Sequence, residues 1–134
     1  MTLQIGLVGE LSRRVEPSML AGAVGSGGLD VFSTPALIAL LEGAAREAVE
    51  SLLDAGQTTV GVHVDVRHLA ATPLGVEVRA RAELIEVDGR RLVFHVEAFD
   101  CVDKIGEGTH ERMIVDPARL LARANAKLSG EKPA

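Results

Sequence analysis

The chain has one cysteine, no tryptophan, no tyrosine and three phenylalanines in 134 residues. A lone Cys101 makes no internal disulfide and supports no structural zinc site by itself, a usage that fits a reducing compartment; it reads as a small, semi-buried residue near a turn. At 2% aromatic content, the stacking platforms of single-stranded nucleic-acid binders are missing, and the core has to be built from Val, Leu, Ala and Ile. Excess positive charge is missing too. With a net charge of −5 and a pI near 5.3, nothing draws the chain onto a phosphate backbone, although a local Arg cluster remains compatible with a small anionic ligand. No cationic-plus-apolar leader opens the sequence and no apolar run approaches the ~20 residues that span a bilayer. The expectation is a soluble cytoplasmic protein with no membrane or nucleic-acid partner.

Several chemistries are absent as motifs. There is no Gly-x-Ser-x-Gly elbow, no His-Glu-x-x-His, no Cys-x-x-Cys and no dinucleotide fingerprint followed by an acid. Neither a metal nor a cofactor is expected.

What is present is ordinary globular composition, 47% hydrophobic and 25% charged, in a length that makes one domain over residues 1–134. The only strongly helical run before the C-terminal tail is Thr34 to Ala55. Thr34 reads as its cap, Pro35 suits a first turn, and Gly56 marks its end. Ala36 to Ala45 is apolar or Gly except at Glu42. Glu42, Arg46, Glu50 and Asp54 recur every fourth residue and form a solvated stripe in the simplest reading. The stripe does not extend back past Glu42, however, because Ile38 takes the preceding step. A carboxylate at that inner limit is less hydrated than one in the open, which suits acid/base or nucleophilic work.

Around this helix the chain alternates. A strand is predicted near Val8 to Val15, and Ala21 to Gly28 reads as a small, flexible flap. Thr58 to His68 places Val60, Val62, Val64, Val66 and His68 on one face and Gly61, His63, Asp65 and Arg67 on the other. Ala71 to Gly75 is a turn, Val76 to Val87 a strand with Val76, Val78, Ala80, Ala82 and Leu84 inside, Asp88-Gly89 a hairpin signal, Arg91 to Asp100 a strand with Leu92, Phe94, Val96 and Ala98 facing in, and Ile105 to Val115 a further strand. Pro117 to Leu128 is a short basic helix, followed by a frayed tail. One apolar helix stripe and one apolar sheet face bury each other, giving an α+β two-layer domain whose open edge invites a second copy. Thr34, Glu42 and His68 are then the residues to watch: a hydroxyl, a carboxylate and an imidazole, the types that activate water or attack an acyl carbon. Free amides at the helix start are placed to hold a developing oxyanion.

Four segments carry a family resemblance: His68-Leu-Ala-Ala-Thr-Pro-Leu-Gly75, Val76-Glu-Val-Arg-Ala-Arg-Ala-Glu-Leu84, Glu86-Val-Asp-Gly-Arg-Arg-Leu92 and Gly106-Glu-Gly-Thr-His-Glu-Arg112. Together they resemble the hotdog-fold thioesterases, in particular the fluoroacetyl-CoA thioesterase family. The resemblance implies hydrolysis of an acyl-CoA thioester, CoA being part of the substrate, with Thr34, Glu42 and His68 as the catalytic positions. It implies that Gly61 and Arg112 lie at the acyl site, and that active sites form at the interface of a homodimer or of a higher assembly built from it. In members selective for fluoroacetyl-CoA the segment before the helix is longer and carries aromatics that close over the acyl group; here it is short, with Phe32 the only aromatic nearby. A broader or different short-chain acyl-CoA is therefore expected. The alternative reading is a module that binds an acyl-CoA or another small molecule without turning it over. Arg67, Arg90 and Arg91 are candidate phosphate contacts, and His63, His95 and His110 read as surface or hydrogen-bonding residues.

Overall fold

The computed structural model describes residues 2–130. The expected tail reaches residues 131–134, which lie outside the described residues. A five-stranded antiparallel sheet is formed by β1 (Val8–Arg14), β2 (Thr58–His68), β3 (Glu77–Asp88), β4 (Arg91–Phe99) and β5 (Lys104–Val115), in the order β1-β3-β4-β5-β2. One long helix, α2 (Thr34–Val49), packs on one face; α1 (Ala21–Val24) is a single turn before it and α3 (Pro117–Ala126) follows β5. This is the hotdog arrangement of a sheet around a central helix.

The core is the expected aliphatic one. Leu37, Leu40, Leu41, Ala44, Ala45, Ala48 and Val49 of α2 meet Val78, Ala80, Ala82 and Leu84 of β3 and Leu92, Phe94, Val96 and Ala98 of β4, all buried. Each large aliphatic among them contributes about 1.5–3 kcal/mol relative to exposure. The close fit needs small residues: a Cβ on Gly9 of β1 would run into the backbone of Ala44 and Ala48. The alternation read from the sequence therefore places the inward residues of β3 and β4 correctly. The turn between them comprises Gly89 and Arg90, with Asp88 paired to Arg91 and Gly89 at φ +60°.

Four local expectations are corrected. The helix is capped by Ser33, whose hydroxyl accepts the Ala36 amide at 3.2 Å; Thr34 is the first helical residue, so its hydroxyl is not spent on capping. The α-helix ends at Val49 and tightens to a 3-10 turn over Glu50–Leu52, where Glu50 receives the Thr58 hydroxyl at 3.0 Å. The first half of the flap, Ala21–Val24, is a helical turn, with Gly25 left-handed at its end. Cys101 lies in an exposed turn.

The largest correction concerns β2. It does not neighbour β3 but lies beyond β5, at the edge of the sheet. The chain between them crosses the sheet end beneath the start of α2, held by Leu69 N–H to Ile105 O (2.7 Å), Phe32 N–H to Thr72 O (2.8 Å) and Gly75 N–H to Val15 O (2.9 Å). Within β2 the register slips between Gly61 and His63, a β-bulge with Val62 as the extra residue. Directly opposed residues share a face. Gly61 pairs with Arg112, Val64 with His110 and His68 with Gly106, so all of these face the helix, while His63, Asp65 and Arg67 face outward. Val62 is 54% exposed rather than inside. The unbroken Val-x-Val pattern had concealed the change of parity.

Candidate active site

The helix-facing side of β2 and β5 carries the polar residues that an aliphatic core would exclude. They fall into two groups. At the start of α2, Thr34 Oγ1 and His68 Nδ1 are hydrogen-bonded at 2.8 Å. This contact exists because Ser33 does the capping and because the bulge turns His68 inward. The His68 ring meets Phe32 edge to face, with centroids 6.5 Å apart, and its Nε2 is buried without a hydrogen-bond partner among the described residues. Burial lowers the His68 pKa below the ordinary histidine value, with the Ala70 backbone opposing that shift, so the imidazole is neutral at neutral pH. Thr34, His68, Phe32, Ser33, Ala70 and Ala71 line a cleft of about 450 Å³. Phe32 itself is 2% exposed; it is a wall of the core and not a lid.

The second group lies further along α2. Glu42 is half-buried, and its Oε2 accepts a hydrogen bond from Arg112 Nη1 at 3.2 Å. Arg112 is buried and gives Nε–H to the Thr59 hydroxyl (2.8 Å), Nη2–H to the Thr59 carbonyl (3.0 Å) and a second Nη1–H to His110 Nε2 (3.2 Å). Burial pushes the Arg112 guanidinium below its ordinary value and Glu42 pulls it back; it stays charged, as arginine does in proteins. Gly61 is the floor of this group: a Cβ there would overlap the Glu42 carboxylate and press on the His110 ring.

The structure thus joins Thr34, His68 and Phe32 in one place and Glu42, Gly61 and Arg112 in another, and among the described residues no hydrogen bond or ion pair links the two. Eight residues of helix separate Thr34 from Glu42, a rise of ~12 Å. The helix start offers less to an oxyanion than expected, since Ser33 takes the Ala36 amide and Pro35 has none; only the Thr34 N–H is left from that turn. Sequence reasoning missed Thr59 and underweighted His110. The available signal was spacing, because His110 and Arg112 two apart on a strand share a face. Of the Arg candidates, Arg91 is held by Glu111 and Glu86. Arg90 lines a groove of about 400 Å³ together with Arg119 and Arg123.

Comparison with known proteins gives one consistent answer. The family model described as fluoroacetyl-CoA-specific thioesterase matches residues 15–118. The chain is 42% identical over 105 residues to a fluoroacetyl-CoA thioesterase of Streptantibioticus cattleyicolor, covering 78% of this chain and 73% of that one. The solved structure of the fluoroacetyl-CoA thioesterase FlK superposes with a TM-score of 0.87 at 32% identity, over 99% of this chain and all of the other. A hot-dog-like protein from Thermanaerovibrio acidaminovorans superposes at 0.83 with 25% identity, over 95% and 94% of the two chains. The match spans the helix, the His68 turn and the strand bearing His110 and Arg112, and on that basis the chain belongs to the fluoroacetyl-CoA-specific thioesterase family.

Proposed function

We propose that the protein hydrolyses the thioester of a short-chain acyl-CoA, with Thr34, Glu42 and His68 as catalytic residues and Gly61, Arg112 and Phe32 around the acyl group. In the net reaction the elements of water are added across the C–S bond, so that the sulfur leaves as CoA thiol and the acyl group departs as a carboxylate. The observation that carries the reading is the Thr34–His68 hydrogen bond beside an open cleft, in a chain of this family. It supplies a neutral, oriented imidazole able to exchange a proton with the departing sulfur. Glu42, with Oε2 held by Arg112, acts on the acyl carbon through its other oxygen, either directly or through a water. A second copy paired along the β2 edge would wall the space between the two polar groups; the exposed Val62, Val64 and Leu69 support that assembly. Arg90, Arg119 and Arg123 offer cationic contacts for the phosphates of CoA.

The acyl specificity follows from what covers the cleft. The turn α1 is Ala-Gly-Ala-Val and Phe32 is buried, so no aromatic closes over the acyl group, and acetyl-, propionyl- and fluoroacetyl-CoA are expected to turn over at rates of the same order. The test is thiol release from these esters and from longer ones. Glu42→Gln and His68→Ala are each expected to lower kcat by roughly 10²–10⁴-fold, the range of a positioned acid or base. Wild-type rates from both would remove the assignment, and tight CoA-ester binding without thiol release would show a binding module instead. In a single turnover in ¹⁸O-water, label in the Glu42 carboxylate would show direct attack, with the anhydride opened at the Glu42 carbonyl; label in the product acid is common to both routes.

A further inference from the structure

His110 is 1% exposed, among the most buried polar residues of the chain, and the polarity of its neighbours fixes its protonation. Its Nδ1 lies 2.8 Å from the His63 carbonyl oxygen. A carbonyl only accepts, so Nδ1 carries the proton. Its Nε2 lies 3.2 Å from Arg112 Nη1. A guanidinium only donates, so Nε2 presents its lone pair. Both bonds are satisfied at once only by the neutral imidazole with hydrogen on Nδ1. Glu42 Oε2 lies 3.7 Å from the same Nε2, too far and with the wrong polarity for a hydrogen bond.

We propose that His110 is a positioning residue for the acyl site: as the neutral Nδ1–H tautomer it accepts a hydrogen bond from Arg112 and so fixes the guanidinium that holds one oxygen of Glu42. The inference rests on the thioesterase reading for its catalytic consequence, but not for its geometry. The arrangement is built from both sides. Thr59 takes Nε–H and one Nη2–H of Arg112, while His110 and Glu42 take the two Nη1–H. Four of the five N–H donors of an arginine are thereby committed, and the planar fork cannot rotate without leaving one unpaired. Arg112 in turn keeps Glu42 Oε2 occupied, so the chemistry of the carboxylate falls to its other oxygen. A protonated His110 would have no lone pair for Arg112 and would instead offer Nε2–H toward Glu42, dismantling the hold. Burial disfavours that state. The charged and titratable groups around the ring are Glu42 from α2, His63 from β2, and Arg112 and Glu111 on its own strand, with the uncharged Phe94 of β4 against its face.

The experiment has two arms on the full-length protein. Long-range ¹H–¹⁵N spectra of the imidazoles, followed downward from pH 8, are expected to show His110 as the Nδ1–H tautomer and to keep it uncharged below the ordinary histidine pKa. An Nε2–H pattern, or titration at the ordinary value, overturns the proposal. In the kinetic arm, His110→Leu is expected to lower kcat about tenfold with KM little changed, as for loss of one charge-assisted hydrogen bond. His110→Gln, whose side-chain oxygen can accept from Arg112 and cannot titrate, is expected to keep most of the rate. The double variant with Arg112→Leu is expected to be no slower than Arg112→Leu alone. Wild-type kcat in His110→Leu, or additive losses in the double variant, also overturn it. Should His110→Leu fail to fold, the spectra and the Gln variant decide. Absence of turnover in the wild type would sink the thioesterase reading alone, because the tautomer is read without substrate.

Discussion

At the scale of single residues, function is set by which neighbour uses up which polar atom. Ser33 caps the helix, and that frees the hydroxyl of Thr34 for His68. Thr59 and His110 occupy Arg112, and that leaves Glu42 half held and half free. Gly61 has a constrained task at the site, since a methyl group in its place overlaps the Glu42 carboxylate. Gly61→Ala is therefore expected to displace Glu42 from Arg112 and to lower kcat at least tenfold while leaving the protein folded, as checked by steady-state kinetics beside a thermal melt; an unchanged kcat would show that Glu42 can move aside without consequence. Much of this was legible in the chain. The lone acid in an apolar helix and the histidine at the end of a strand stand out by pattern alone. The identity of the cap did not, because Ser33 and Thr34 are both good N-caps and only the hydrogen bonds distinguish them.

At the scale of elements, alternation is a reliable guide wherever a strand is regular. It fixes the inward residues of β3 and β4 and the helix-facing stripe of α2, and the hairpin between β3 and β4 is announced by its glycine. It fails on β2, where four valines at even spacing look like one face but the bulge divides them. It is also silent on order: nothing in the turn after His68 says that the chain will cross to the other side of the sheet. Two predictions belong here. Removing the cap with Ser33→Ala is expected to cost about 1 kcal/mol of stability by chemical denaturation, and to loosen the Thr34–His68 pair. Val62→Lys at the exposed edge is expected to convert a dimer to monomers by analytical ultracentrifugation and to reduce activity with it. A monomeric wild type would remove the second copy from the proposed site.

At the scale of the whole molecule, the sheet has an apolar inner face and a charged outer one. Lys104 bridges Glu97 and Glu107 at 2.8 Å each, and Arg91 bridges Glu86 and Glu111; such exposed pairs are worth little individually but keep that face wet. Stability should depend on pH through the buried groups instead. His68 and His110 both have folded pKa values below the unfolded value of 6.5, so the unfolded chain binds more protons between those limits. Their contribution is complete above that value and is lost as the pH falls through it toward the folded values. Asp100 adds a second, more acidic window. The amides of Asp103 and Val102 and the Thr72 hydroxyl hold its carboxyl below the ordinary 3.8, so its contribution is present above that value and fades as the pH falls further. The expected Tm is flat from pH 8 to about 7 and declines below the ordinary histidine range, with His110→Gln flattening part of the decline. A Tm that rises between pH 7 and 5 would contradict both histidine assignments.

The bulge in β2 has a consequence for how this sequence tolerates change in length. The two halves of the strand run out of phase, and the single additional residue at Val62 is what brings Gly61 and His68 to the same side. Excising Val62 would erase the irregularity and leave a regular strand in which Gly61 and the imidazole, then six positions apart, still share a side, whereas inserting one further amino acid beside it would rotate the downstream half by one step and carry the imidazole to the wet surface. The stretch should therefore accept the loss of Val62 far better than the gain of a residue, exposed though it is.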